Sequence, residues 1–125
     1  MIIEIDFDSA LPIYEQIRRE IVRGISRGLL RPGEKLDSVR DMAEQIGVNL
    51  HTVNKAYKLL EEDGLIRMDR RYGTLIRDDF PSLREEEGQR IREELSFLLS
   101  YMKIKGASKK DLLATIDKIW EEKDD

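Results

Sequence analysis

Two stretches of this sequence carry polar and basic side chains that suit hydrogen bonding to bases and phosphates. The first runs from Lys35 to Lys58 and holds four basic and three acidic residues. The second runs from Arg67 to Arg77 and holds four arginines against one aspartate, a local charge of +3. Arginine and lysine pair with guanine, asparagine pairs with adenine, and the threonine methyl contacts thymine. These residue types favour nucleic-acid contacts if the fold brings them to one surface.

The composition argues against most other chemistry. The chain has 125 residues, no cysteine and one histidine. Disulfides, thiolate metal sites and cysteine nucleophiles are therefore excluded, and a histidine-based triad or metal site is disfavoured. The sequence shows neither a phosphate-binding loop nor a cluster of metal ligands. We therefore expect no enzyme activity, no metal and no cofactor.

Charge and hydropathy restrict the protein class further. The 22 Lys+Arg and 26 Asp+Glu give a net charge of -4, which argues against a generic nucleic-acid coat but not against a local basic face. No apolar run approaches the ~18 residues of a transmembrane helix, and the N-terminus lacks the basic start of a secretory signal. We therefore expect a cytoplasmic protein with no membrane partner.

Apolar residues at helical spacing predict three helices in the first half of the chain. The first is predicted over residues 11–27. The second, over residues 39–46, follows Ser38, whose side chain suits an N-cap. The third, over residues 50–63, follows Asn49, another strong N-cap. Two short helices separated by a turn that contains glycine are typical of a helix-turn-helix.

Two short strands are predicted to follow these helices. The segments LIRMD and TLIRD, at residues 65–69 and 74–78, each fit a strand, and residues 70–73 have the right length for a hairpin loop. This order of elements predicts a mainly α fold with a small β-hairpin. It is a winged helix-turn-helix domain, which we place at residues 1–80.

The residue pattern changes from Pro81 onward. A C-terminal tail of residues 81–125 is predicted to form two amphipathic helices. About forty residues in two helices are too few for an independent core. We expect the tail to dimerise by burying its apolar residues against a second copy, although packing back on the N-terminal part of the same chain is the alternative. The predicted dimerisation residues are Ile91, Leu95, Leu98, Leu99, Met102, Leu112, Leu113, Ile116, Ile119 and Trp120.

A set of short motifs connects these elements to a known family. In chain order they are PIYEQI, G-x-L-x-P-G-E-K-L, S-V-R, T-V-x-K-A-Y and E-x-D-G-L-I. Their order and spacing over residues 11–76 resemble the DNA-binding domain of GntR-type bacterial transcription regulators. The short two-helix tail resembles that of the YtrA-like subfamily, whose members carry a small helical dimerisation region.

The resemblance implies a set of DNA-binding residues at the second helix, at the third (recognition) helix and at the hairpin. Arg40 of the S-V-R element is expected to contact a base or a neighbouring phosphate, and the hairpin tip is expected to reach the minor groove or the backbone. The candidates are Lys35, Ser38, Arg40, Asn49, His51, Thr52, Asn54, Lys55, Arg70, Arg71, Tyr72 and Gly73.

Three positions depart from the family pattern. Asp37 stands where the family usually has proline, which predicts a less rigid start to the second helix. Asn49-Leu50 replaces a common Ser-Arg pair, so a basic contact is missing at the start of the recognition helix. The hairpin reads Arg71-Tyr72-Gly73 instead of Gly-x-Gly. The base preference of relatives therefore does not transfer to this chain.

Several candidates also have plain structural interpretations. Arg40 could form a surface ion pair with Asp37 or Glu44, and Asn49 could serve only as a helix cap. Lys55 could belong to a solvated helix face. Tyr57 and Trp120 fall on apolar stripes and are predicted to pack rather than to stack on bases.

The leading hypothesis is a homodimeric, sequence-specific transcriptional regulator, a repressor by analogy, that binds a pseudo-palindromic operator in double-stranded DNA. The alternative is a winged-helix module for protein contacts without a DNA role, which the acidic net charge favours modestly. A small-molecule effector of unidentified type is left open, with its pocket at the dimer interface or between the winged helix and the tail.

Overall fold

The computed structural model describes residues 2–123, which divide between Phe80 and Pro81 into two compact units. The first unit contains three helices and a small sheet, and the second contains two helices. In chain order the elements are α1 (Ile13–Ser26), β1 (Lys35–Leu36), α2 (Val39–Ile46), α3 (Leu50–Glu62), β2 (Ile66–Asp69), β3 (Gly73–Ile76), α4 (Glu85–Ile104) and α5 (Lys109–Glu121). The order helix, helix-turn-helix, hairpin confirms the predicted winged helix.

The core of the first unit forms where α1, α2 and α3 pack over the sheet. Each helix contributes the apolar stripe that its spacing predicts, and the stripe of α3 includes Tyr57, whose side chain is fully buried. The prediction that Tyr57 packs is therefore confirmed. The core residues are Ile3, Ile17, Ile21, Leu30, Leu36, Met42, Ala43, Val53, Ala56, Tyr57, Leu60, Ile66 and Ile76.

The sheet has three strands, where the sequence predicts a two-stranded hairpin. The additional strand β1 pairs antiparallel with β3, so the strand order is β1-β3-β2. The pairing continues beyond β1, because the Gly33 N–H donates to the Ile76 carbonyl at 2.8 Å and the Ile76 N–H donates to the Glu34 carbonyl at 2.8 Å. The loop predicted before α2 is thus partly a sheet edge. Gly73, predicted in the hairpin loop, is the first residue of β3.

Polar side chains of α1 connect this helix to the N-terminal segment and to the end of α3. Gln16 accepts a hydrogen bond from the Asp6 N–H and donates to the Asp6 carbonyl, each at 2.9 Å. Arg18 bridges Glu15 at 2.9 Å and Asp63 at 3.1 Å, which joins α1 to the end of α3. Burial alone would lower the pKa of Arg18, but the hydrogen bonds to the two carboxylates outweigh it and raise the pKa.

The second unit consists of α4 and α5. Helix α4 continues through Gly88, and α5 begins after Ser108, whose hydroxyl caps the helix by accepting from the Asp111 N–H at 3.1 Å. A search of residues 2–123 finds no helix with the length and apolarity needed to cross a membrane.

Candidate nucleic-acid interface

The helix-turn-helix is built by caps at the predicted positions. The Ser38 hydroxyl accepts from the Asp41 N–H at 3.1 Å, which confirms Ser38 as the predicted N-cap of α2. Helix α2 ends at Gly47, whose φ of 70° is the left-handed conformation that glycine tolerates best. The Asn49 Oδ1 atom accepts from the His51 N–H at 2.7 Å, so the capping role of Asn49 is confirmed. These caps fix the angle at which α3 leaves the turn.

Arg40 lies in the first turn of α2 with an exposed side chain. Within the described part of the chain it forms no ion pair, so the surface pairing with Asp37 or Glu44 is not observed. The Asp37 carboxylate instead accepts from Gln45 Nε2 at 3.2 Å. Arg40 therefore has its five N–H donors available for an anionic partner.

The recognition helix α3 presents the predicted residues to different extents. His51 and Lys55 are exposed, whereas Thr52 and Asn54 are half-buried. The Lys55 Nζ atom lies 4.0 Å from the ring centroid of Tyr14, a cation–π contact with α1. Sequence reasoning treats Lys55 as free or solvated, but its ammonium group is held beside α1.

The relative position of α2 and α3 is fixed by Tyr57. Its hydroxyl crosses from α3 to donate to the Asp37 carbonyl at 2.7 Å. Burial raises the pKa of the Tyr57 phenol, and the negative charges of Asp37 and Asp41 add to this rise. The position where the family usually has proline is therefore held by a hydrogen bond from the core, and the predicted looseness at Asp37 is not observed.

The wing, defined as β2, β3 and the loop between them, carries the exposed residues Arg70, Arg71 and Tyr72 at its tip. The Asp69 carboxylate shapes this loop, because its Oδ1 atom accepts from the Arg71 N–H at 2.7 Å and from the Tyr72 N–H at 3.3 Å. Gly73 completes the turn with a φ of 84°. The wing therefore holds two arginines and an aromatic ring in an ordered loop.

The outer face of the sheet carries a group of basic side chains, and the sequence-based candidates include only some of them. Lys35 of β1 and Arg67 of β2 both pair with Leu75 of the central strand, and directly paired residues lie on one face. These three residues line a depression of about 530 Å³ together with Arg71 and Tyr72. Arg67 is missing from the sequence-based candidates, since its position opposite Lys35 depends on the unpredicted strand β1.

The structure also brings the start of α2 to the wing. One cavity of about 280 Å³ is lined by three of the predicted DNA-binding residues, Lys35, Ser38 and Gly73, and also by the acidic residues Asp37 and Asp41. Among residues 2–123, no group of three or more His, Cys, Asp or Glu side chains could hold a metal ion. The arrangement suits contact with a polyanion through cations, hydroxyls and amides.

The second unit leaves apolar side chains uncovered within the chain. Of the ten predicted dimerisation residues, Leu99 and Leu112 are half-buried and the other eight are exposed, with Trp120 reaching 86% exposure. Phe97 and Tyr101 of α4, which sequence reasoning misses, are also exposed and pack edge to face with ring centroids 6.4 Å apart. The predicted packing of Trp120 is not observed within the described chain and stays a prediction.

Comparison with known proteins assigns the winged helix to a family. Residues 13–76, which span α1 to β3, match the family described as bacterial regulatory proteins, gntR family. The chain belongs to the gntR family. The recognised motifs and the winged helix of this GntR protein therefore have a common origin with the DNA-binding domains of that family.

Individual relatives agree with the family assignment. The GntR chain is 42% identical over 98 residues to the HTH-type transcriptional repressor YtrA of Bacillus subtilis, which covers 78% of this chain and 75% of the relative. A solved transcriptional antiterminator from Listeria monocytogenes superposes with a TM-score of 0.85 at 31% identity, over 97% of this chain and 94% of that one. The DNA-binding domain of AraR in complex with operator ORX1 superposes with a TM-score of 0.53 at 29% identity, over 58% of this chain and 90% of that one. This GntR chain is a transcriptional regulator with a winged-helix DNA-binding domain.

Proposed function

We propose that the chain is a homodimeric repressor that binds a pseudo-palindromic operator through the exposed start of α2, the start of α3 and the wing. The observation that carries this proposal is Arg40, whose guanidinium is exposed in the first turn of α2 and forms no ion pair with any other residue from 2 to 123. Because no ion pair among the described residues must be broken first, the Arg40 guanidinium is suited to bidentate pairing with guanine or to a phosphate contact.

Base readout in this proposal falls to Arg40 and to the exposed start of α3. Asn49 caps α3 through Oδ1 and keeps its Nδ2 donors for DNA. His51 is the exposed donor and acceptor in the first turn of α3, and the half-buried Thr52 and Asn54 offer smaller contacts. The N-terminal turn of a recognition helix is the part that reaches base edges in the major groove.

In this proposal, contacts with the DNA phosphates are made by the outer face of the sheet and by the wing. Lys35 and Arg67 flank Leu75 on the outer face, and Arg70 and Arg71 lie at the wing tip. Outside residues 35–58 and 67–77, acidic residues outnumber basic ones in this chain of net charge -4, so the rest of the surface offers no net positive charge to attract phosphates. We therefore expect weak non-specific binding and a specific affinity that depends on these placed side chains.

Dimerisation falls to the apolar residues of α4 and α5. Large exposed side chains, among them Leu98, Ile116 and Trp120, form more uncovered apolar surface than a monomeric protein usually keeps in water. A second copy is the partner we propose, because a dimer with two-fold symmetry presents two recognition helices to the two half-sites of a pseudo-palindrome.

The regulatory effect follows from occupancy of the operator. A dimer that covers promoter DNA blocks transcription, which agrees with the description of the Bacillus subtilis relative as a repressor. We place this activity in the cytoplasm, where bacterial promoters lie, and leave room for a small-molecule effector that alters the dimer.

The test begins with selection of bound sequences from a random double-stranded DNA pool. We expect a two-fold symmetric site bound with a dissociation constant near ~10⁻⁸ M. Arg40→Ala should weaken binding to that site by at least about fivefold per half-site, since a good bidentate contact contributes roughly 1–3 kcal/mol. Arg19→Ala is the matched control, because it removes the same charge from an exposed side chain of α1. Selection of no sequence, or equal affinity of the two variants, would contradict the proposal.

A further inference from the structure

Leu50 is an apolar side chain at the first position of the recognition helix α3, and 42% of its surface is exposed. It lines an open depression of about 300 Å³ together with Arg40, Ala43, Glu44 and Val48. Leu50 lies outside the core of the first unit, so its hydrophobicity is not needed for the fold. The depression thus combines apolar side chains with the Arg40 guanidinium, which has no ion-pair partner in the part of the chain that the structure describes.

We propose that Leu50 contacts the 5-methyl group of a thymine next to the base pair that Arg40 contacts. The inference rests on the proposed function and adds a specificity determinant to it. Thymine is the base that presents a methyl group in the major groove, and an apolar side chain is the partner that such a methyl takes. Thr52, the residue first expected to contact thymine, is half-buried and offers less surface than Leu50.

The neighbours of Leu50 favour a base edge over a phosphate. Glu44 lies in the same depression, and its carboxylate repels phosphate oxygens. Arg40, in contrast, suits the two acceptors of guanine. An apolar side chain that shares a depression with a guanidinium suits a major-groove edge that presents acceptors and a methyl group together. The operator half-site is therefore expected to contain a guanine beside a thymine.

The experiment removes the methyl group from DNA and the leucine from the protein in turn. Each thymine of the selected operator is replaced by deoxyuridine, and affinity is measured by fluorescence anisotropy at fixed salt. At one thymine per half-site, the wild-type protein should lose about fourfold in affinity, the factor that corresponds to burial of one methyl group. The same position carrying 5-bromouracil, which fills the space of the methyl, should restore the affinity.

Leu50→Ala should bind the thymine and uracil operators equally, because the partner of the methyl is gone. Leu29→Ala is the matched control, since Leu29 is 45% exposed in the loop after α1 and should keep the fourfold discrimination. Both variants truncate exposed side chains outside the core, so both should fold. Uniform loss of wild-type affinity with uracil at every thymine, no loss at any thymine, or equal discrimination by Leu50→Ala would each overturn the inference.

The outcomes separate this inference from the function on which it rests. If no DNA sequence is selected, the proposed function and the Leu50 contact fail together. If a symmetric operator is selected and depends on Arg40 but not on a thymine methyl through Leu50, the Leu50 contact alone fails.

Discussion

The hydrogen bond from Tyr57 to the Asp37 carbonyl gives a direct test of how the recognition surface is positioned. Tyr57→Phe removes the hydroxyl that donates across 2.7 Å and leaves the fully buried ring in place. The variant should therefore keep its core and lose the connection between α3 and the start of α2. Any loss of stability then reports on that connection.

The magnitude follows from the geometry of the bond. A net hydrogen bond contributes about 1 kcal/mol, and the Asp37 carbonyl left without its partner adds a further penalty because the bond is only partly accessible to water. We expect the free energy of unfolding at pH 7 to fall by about 1.5 kcal/mol. Arg40 lies in the first turn of α2, three residues after Asp37, so operator affinity should fall as well, by a few fold.

The pH dependence of the free energy of unfolding provides a second, independent measure of the Tyr57 contribution. The pKa of Tyr57 is raised in the folded protein above its ordinary value of 10.0, so its stabilising contribution is complete below pH 10 and is lost as the pH rises toward the folded-state pKa. At pH 11 the unfolded wild type gains about 1.4 kcal/mol from ionising this phenol. The stability difference between wild type and Tyr57→Phe should thus nearly vanish at pH 11.

The assay is equilibrium unfolding in urea, followed by circular dichroism at one protomer concentration and at pH 7, 9, 10 and 11. Other groups titrate alike in both proteins and cancel in the difference. Tyr72→Phe serves as the control, because Tyr72 is exposed at the wing and its loss should change stability by less than about 0.5 kcal/mol. A Tyr57→Phe difference that is equally small at pH 7, or that does not change between pH 9 and pH 11, would refute the reasoning.

Further predictions concern the tail, the sheet face and α1. If the proposed dimer forms through α4 and α5, Leu98→Glu should sediment as folded monomers at micromolar concentration, and unchanged dimers would place the interface elsewhere. Lys35→Ala and Arg67→Ala should each reduce the slope of log affinity against log salt by about 1.8, which is about 0.9 for each copy in the proposed dimer, and a slope equal to that of the wild type would exclude a phosphate contact for that residue. Tyr14→Leu should release the Lys55 ammonium and weaken operator binding about threefold in anisotropy, whereas Tyr14→Phe should bind like wild type because it keeps the ring face.

Much of the first unit could be predicted from sequence because its signals are local. Ser38 and Asn49 are capping residue types directly before apolar periods, and both cap their helices in the structure. Strand β1 could not be predicted in this way, because two residues are too few to show an alternation. Its existence depends on pairing with a strand almost forty residues later, as in the register of Lys35 with Leu75.

The candidate site was predicted less completely for a related reason. The exposure of Leu50 and the freedom of Arg40 depend on which neighbours pack against them, and residue type does not report this. Lys55 illustrates the same limit, since its ring partner Tyr14 lies on α1, outside the helix-turn-helix pattern. Arg67 joins the site only because the third strand brings Lys35 to the same face.

The pairing of β1 with the wing has a consequence for chimeric proteins made from this chain. Because β1 hydrogen-bonds to β3 and also leads directly into α2, a graft of residues 65–77 from a relative would place a foreign strand against a native edge. Lys35 would then come from this chain, whereas the residue paired with it at position 75 would come from the relative. The exchanged segment must therefore extend at least from Gly33 to Arg77, which transfers the recognition helix along with the wing. The transferred α3 must also match the α1 of the host, because Arg18 and Tyr14 of α1 contact Asp63 and Lys55.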